Sequence, residues 1–175
     1  MNKQLMWVSA VLPQDINNEI ADICLQYNKQ LKLSERFFKF PLHISLKRTF
    51  YTDDYESIKK DLKELLDNNG SLLINTYSII RNKDMLWIDI TDNRNIKLLH
   101  EAIDQKLKEK YQIPIDEFDK NYYPHVTLFR DEDVEKLDLM KTRIEKLVPV
   151  KELIIDTFAM GTTLDNNEFY TLERK

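Results

Sequence analysis

Glycine is nearly missing from this sequence, with two in 175 residues, and proline is sparse at five. That excludes a flexible linker and any low-complexity tract. Cysteine is scarcer still: the single Cys24 can form no internal disulfide and supplies no zinc cluster. Its neighbours Ile20, Ile23 and Tyr27 make it a buried, inert thiol. Positive charge is in deficit, since 26 Lys and Arg face 30 Asp and Glu for a formal charge of −4. Such a balance argues against coating long nucleic acid, including duplexes, by bulk electrostatics. It leaves room for a short or terminal nucleotide in a locally basic cleft. No apolar run approaches the length of a membrane span, and the opening "MNKQLMWVSAVLPQD" has no cleavage site. A soluble, reducing, cytoplasmic setting is the expectation. Metal spacings such as H-x-H or H-E-x-x-H do not occur, so no metal and no cofactor are expected.

What is present is ordinary globular composition, 42% hydrophobic and 32% charged. One domain over 1–175 is expected, built either as a single body or as two small lobes sharing a core. "QLMWVSAVL" is a strand ended by Pro13. "DINNEIADICLQYNKQLKL" follows as a helix with Ile16, Ile20, Ile23 and Tyr27 at helical spacing and Asp15 as its N-cap. After "SERFFKFP" comes the strand "LHISLKRTFY", then an amphipathic helix through Tyr55, Ile58, Leu62 and Leu65 that Asn-Asn-Gly stops. "SLLINTYSIIR" and "MLWIDIT" are strands around the turn Asn82-Lys83-Asp84. A third helix, the strand "YYPHVTLFR" and a fourth helix come next. "VKELIIDTFAMGTTL" and "EFYTLER" close the chain as two strands around Asp165-Asn166-Asn167.

The two halves repeat. "LMWVSAVLPQDINNEI" and "MLWIDITDNRNIKLLH" both run strand, turn, Asp or Asn cap, helix, and Trp7 precedes His43 at nearly the interval by which Trp87 precedes His125. Strand–helix–strand–helix–strand, twice, predicts a duplicated α+β fold with pseudo-repeat lobes of about 1–82 and 83–175, the chain ends crossing between them.

Only three histidines are available, and two stand in matching phrases, "PLHISL" and "YPHVTL". On a strand, residues i and i+2 share a face at about 6.6 Å. His43 and Ser45 therefore lie together, as do His125 and Thr127, while Ile44, Leu46, Val126 and Leu128 turn to the core. A lone H-x-[ST] tripeptide usually marks a structural histidine, but two with matching flanks carry information. Brought together by a pseudo-twofold, two imidazoles can divide acid and base roles at neutral pH, and two hydroxyls can hold phosphoryl oxygens between them. That pattern is chemistry for opening or closing a phosphodiester.

Paired H-[IV]-[ST]-L motifs in a chain of this size resemble the 2H phosphoesterase superfamily, the LigT-like, 2′-5′ RNA ligase group. The resemblance spans the whole chain, and it implies a bilobal α+β fold of mainly antiparallel sheets whose motifs face one central cleft. It implies action without metal on RNA 2′,3′-cyclic phosphates, 2′-5′ linkages or related cyclic nucleotides. His43 and His125 match the family's histidines, Ser45 and Thr127 its hydroxyl positions, and Arg130 its tendency to place arginine after the second motif. The first motif carries serine where threonine is commoner, and "KRTF" replaces the usual apolar, glycine-ended run.

Five more residues are weighed as substrate-binding. Strict alternation puts Lys47 on the face of His43 and Ser45, within reach of a phosphate, though a lysine there is more often simply solvated. Phe129 shares the face of Thr127 and either stacks a base or closes the core. Alternation turns Arg130 away from the cleft unless a strand end or bulge intervenes. Tyr122 and Tyr123 precede the second motif at the rim, with at least one packing, and Tyr123 is kept as a candidate. His100 has Ala102 two residues on, sits beside the stripe Ile96, Leu99, Ile103 and Leu107, and reads as structural.

The expected function is a metal-independent phosphodiesterase opening a 2′,3′-cyclic phosphate on an RNA terminus or small nucleotide. His43 and His125 would be its acid and base, the order left open. Alternatives are a phosphodiesterase or ligase for 2′-5′ linkages or cyclic oligonucleotide signals, and a nucleotide- or RNA-end-binding module with weak turnover. A monomer with no membrane partner is expected.

Overall fold

The computed structural model describes residues 3–91, 94–149, 151–163 and 166–172. Eight strands form one antiparallel sheet: β1 (Gln4–Val11), β2 (His43–Thr52), β3 (Leu72–Asn82), β4 (Met85–Thr91), β5 (His125–Arg130), β6 (Glu152–Ile155), β7 (Thr157–Thr163) and β8 (Asn166–Thr171). Five helices accompany them: α1 (Gln14–Leu31), α2 (Tyr55–Asn69), α3 (Arg94–Tyr111), the single turn α4 (Glu117–Lys120) and α5 (Val134–Ile144). The turn at Asp165 and the cap at Asp92–Asn93 lie outside the described residues.

The strand order is β6-β3-β4-β5-β2-β1-β7-β8. A twofold placed between β5 and β2 exchanges β4 with β1, β3 with β7 and β6 with β8, so the two motif strands meet at the centre. Here Ile44 stands opposite Val126. Ile44, Leu46, Val126 and Leu128 are fully buried on the helix side of the sheet, each stabilising the fold by roughly 1.5–3 kcal/mol. α3 packs against β2 and α5 against β3 and β4. The sheet's other face is left to the cleft.

Helix ends follow local chemistry. α2 buries Ile58, Leu62, Leu65 and Leu66 and stops at Gly70, whose φ of 72° suits a residue without Cβ. α1 begins one residue before Asp15: Pro13 is its N-cap and Asp15 lies in the first turn, where its charge favours the helix dipole instead of capping it. The stretch read as one strand, "VKELIIDTFAMGTTL", is two. β6 pairs with β3 at one edge, the chain crosses at Asp156, and β7 pairs with β1 on the other side of the centre. Among the described residues no helix is long and apolar enough to cross a membrane.

Candidate active site

β2 and β5 carry the same burial pattern from their histidines onward, half-buried, buried, half-buried, buried, buried, exposed. The repeat of two buried residues marks a bulge in each strand. Ser45 pairs with Ser9 but Lys47 with Val8, so Leu46 is the extra residue. Thr127 pairs with Trp87 but Phe129 with Leu86, so Leu128 is the extra residue. A bulge turns every later side chain to the other face. Lys47 therefore leaves the cleft, contrary to strict alternation. Its ammonium is buried and bonds Asp104 Oδ1 of α3 at 2.7 Å and Asp119 of α4. Phe129 likewise turns inward, fully buried with its ring centroid 5.1 Å from that of Phe38, and is no stacking platform.

The same bulge brings Arg130 into the cleft, beside His125 and Thr127. It also brings in a residue that strand periodicity missed. Arg48 occupies in β2 the place of Arg130 in β5, and its guanidinium lies 5.3 Å from the centroid of the Phe118 ring. The signal was in the sequence as "HISLKR" against "HVTLFR".

The two imidazoles are set identically. His43 Nδ1 lies 2.9 Å from the Pro41 carbonyl and His125 Nδ1 lies 2.8 Å from the Tyr123 carbonyl, in each case two residues upstream. A carbonyl only accepts, so each Nδ1 carries the hydrogen and each Nε2 is left for chemistry. Each ring also leans on the tryptophan of its own lobe, His43 on Trp7 at 5.5 Å and His125 on Trp87 at 4.4 Å between centroids. Extending the register of Ile44 opposite Val126 by one residue each way sets His43 across from Thr127 and Ser45 across from His125. The imidazoles then sit on a diagonal whose Cβ separation is about 7–8 Å.

Their surroundings differ. Ser45, His125, Thr127, Arg48 and Arg130 line a cavity of about 780 Å³. His43 packs against Trp7 and Phe40 and does not line it. Burial lowers the pKa of both histidines, and the charge of His125 lowers that of His43 further. Asp89 opposes the effect at His125. It is the register partner of His125, and its negative charge favours the imidazolium. The register partner of His43 is uncharged Val11, and Ser9, aligned with Asp89 in sequence and also uncharged, stands across from Ser45. Aligning "WVS" with "WID" would have exposed this asymmetry. Tyr123, half exposed at the rim, donates its hydroxyl to Asp89 Oδ1, and its own pKa is pushed up to about 12.

His100 lies on the other side of the sheet, against a second cavity of about 440 Å³. Its Nδ1 donates to the Leu46 carbonyl at 2.7 Å, and Nε2 faces the Asp119 carbonyl at 3.2 Å. Tyr122 stacks on its ring at 3.8 Å and so packs away from the cleft. His100, Asp104 and Asp119 bring ligand atoms within 4.8 Å of one another, a spacing that suits a metal ion. The Lys47 ammonium already bonds both carboxylates, and this built-in cation offsets part of their charge.

Residues 12–167 match the 2′-5′ RNA ligase superfamily. Among solved structures, Escherichia coli LigT complexed with 3′-AMP superposes with a TM-score of 0.59 at 13% identity, covering 99% of this chain and 98% of LigT. Kluyveromyces marxianus Usb1 gives 0.56 at 13% identity, covering 98% of this chain and 99% of Usb1. TT0787 of Thermus thermophilus gives 0.59 at 13% identity, covering 97% of this chain and 95% of that one. At such identity the likeness is one of fold. No curated protein sequence matches the chain. With the family match spanning most of its length and both motif strands paired at the centre of a LigT-like sheet, the chain belongs to the 2′-5′ RNA ligase superfamily of 2H phosphoesterases.

Proposed function

We propose that the protein hydrolyses a 2′,3′-cyclic phosphate on an RNA end or small nucleotide, with two imidazoles supplying both proton transfers. The observation that carries this reading is the matched pair of Nδ1–carbonyl bonds, which leaves two Nε2 atoms on adjacent strands with a hydroxyl across from each. Asp89 supports an order. His125, beside a carboxylate, is held as the general acid that protonates the leaving ribose oxygen. His43, across from uncharged Val11 and under the charge of His125, stays neutral as the base that takes the proton from water. Water's oxygen bonds phosphorus as the ring P–O bond breaks. Ser45 and Thr127 hydroxyls donate to the non-bridging oxygens and hold the phosphorus in line.

The test is hydrolysis of a 2′,3′-cyclic nucleotide in EDTA. His43→Ala and His125→Ala should each lower kcat by about 10²–10⁴. Full activity in both variants would end the assignment. A second reading, a module that binds cyclic phosphate with weak turnover, is favoured by one observation: His43 is enclosed by Trp7 and Phe40 away from the cavity lining. Binding without turnover from pH 5 to 8 would select it.

A further inference from the structure

In a chain of formal charge −4, the cavity holding His125 is lined by Arg48, Arg81, Lys83 and Arg130 and by no Asp or Glu. Three of them, Arg81, Lys83 and Arg130, lie at the hairpin end of β3, β4 and β5. Along β4, Trp87 pairs with Thr127 and Met85 with Arg130, so two strand residues separate the hydroxyl clamp from Arg130, about 7 Å. Side-chain anchors hold this separation. Arg130 Nε bonds Asp84 at 2.6 Å, in the β3–β4 turn, and Arg81 Nε bonds Asp138 at 2.6 Å, on α5. Arg130 is thereby tied to the hairpin and Arg81 to α5, with their terminal nitrogens still available as donors.

Lys83 and Arg48 act on carboxylates only through their charge, Lys83 lowering the pKa of Asp84 and Arg48 that of Asp116. Lys83 sits at the tip of the β3–β4 hairpin with φ of 53°, in the left-handed region that disfavours a side chain. Glycine or asparagine would occupy that position with less strain. The hairpin is also fixed in place, because the Asp131 N–H donates to the Asp84 carbonyl at 2.9 Å.

We propose that Arg81, Lys83 and Arg130, with Arg48 facing them, form a subsite for a second, non-reacting phosphate of the substrate. The natural substrate would then carry a phosphate on the far side of the nucleoside from its cyclic phosphate, either a 5′-phosphate or the internucleotide phosphate of an RNA end. This rests on the reading of the histidine cleft as a cyclic phosphodiesterase. The flank beside His43 is of another kind, with Phe169 stacked on Phe40 at 5.6 Å.

The experiment compares kcat/KM for a 2′,3′-cyclic mononucleotide, its 5′-phosphorylated form and a dinucleotide ending in a cyclic phosphate, for the native chain and for Lys83→Asn. Asparagine keeps the left-handed turn, so folding is preserved and Tm should not fall. The native chain should prefer one or both two-phosphate substrates by about tenfold. In Lys83→Asn that ratio should fall severalfold, and the salt dependence of log kcat/KM for the dinucleotide should lose about 0.7 of slope per contact removed. Equal rates on all three substrates, or an unchanged ratio in the variant, would overturn the subsite while leaving the phosphodiesterase reading intact. Should the native chain turn over none of them, that reading fails. Dissociation constants for the same three ligands then decide the subsite: tighter binding of the two-phosphate ligands that Lys83→Asn abolishes supports it, and equal binding overturns it.

Discussion

Asp89 stands directly across from His125 on the paired strands β4 and β5, and the residue across from His43 on β1 is the uncharged Val11. The two lobes thus supply the same imidazole geometry in two electrostatic settings. A negative charge beside one ring and none beside the other is enough to give the histidines different protonation states at one pH. A pair of histidines with such unlike neighbours titrates as a coupled system, and the asymmetry fixes which limb of a pH profile each one dominates.

Removing that charge should move one limb only. Asp89→Asn withdraws the stabilisation of the His125 imidazolium, so the high-pH limb of kcat/KM, set by loss of the acid's proton, should shift to lower pH. The low-pH limb, set by protonation of His43, should stay in place. Both histidines are pushed below their ordinary pKa by burial, so the optimum should lie on the acid side of about 6.5. A pH–rate series on a cyclic nucleotide checks both points, and movement of the low-pH limb in Asp89→Asn would reverse the acid and base roles.

The two hydroxyls should act on turnover more than on binding. Thr127→Ala and Ser45→Ala each remove a donor aimed at a phosphoryl oxygen, for which a kcat loss of about 10²–10³ is the measure set by comparable donors. Thr127→Ser keeps the hydroxyl and should retain most activity. Steady-state kinetics on the four proteins separates loss of the donor from loss of the methyl group.

Lys47 should matter to stability and little to chemistry. Lys47→Met leaves Asp104 and Asp119 buried without their cation, a change that typically costs about 3–5 kcal/mol. The orphaned carboxylates would hold protons more tightly folded than unfolded. Stability of the variant should therefore be closest to native near pH 4 and fall further behind as pH rises. Urea unfolding at several pH values measures this. A variant of native stability but abolished turnover would instead return Lys47 to the phosphate.

Cys24 is fully buried on α1 and its thiol is pushed up to about 12 by that burial. It should resist iodoacetamide at pH 8 in the folded protein and react in urea, since only the thiolate is nucleophilic. Mass spectrometry of native and unfolded samples reads the difference, and activity should survive the native treatment.

How much of this was legible in the sequence varies from residue to residue. His43, Ser45, His125 and Thr127 were readable because they precede the bulges, where a period of two still holds. Lys47, Phe129 and Arg130 follow the bulges, so the same rule sent each to the wrong face. Arg48 was hidden by that rule, although the repeat of "HISLKR" in "HVTLFR" carried it. His100 looked structural because it stands beside an apolar stripe, and the structure shows what it does there: its Nδ1 donates to the Leu46 carbonyl and its ring stacks on Tyr122.

By itself, the sequence determined the composition of the core, the element types and the two imidazole–hydroxyl pairs, because these follow from local periodicity and from side-chain chemistry. Tertiary structure alone decided three other things. It split "VKELIIDTFAMGTTL" into strands on either side of the centre, since a run of strand formers does not encode which edge it joins. It set Asp89 against His125, through a register that only pairing can fix. And it inserted an extra residue just after the imidazole–hydroxyl pair of each motif strand, which buried Lys47 among carboxylates and turned Arg48 and Arg130 toward the same cavity. A bulge forms where two strands must stay paired along a twisted sheet, a condition set by the partner strand and absent from the segment's own pattern.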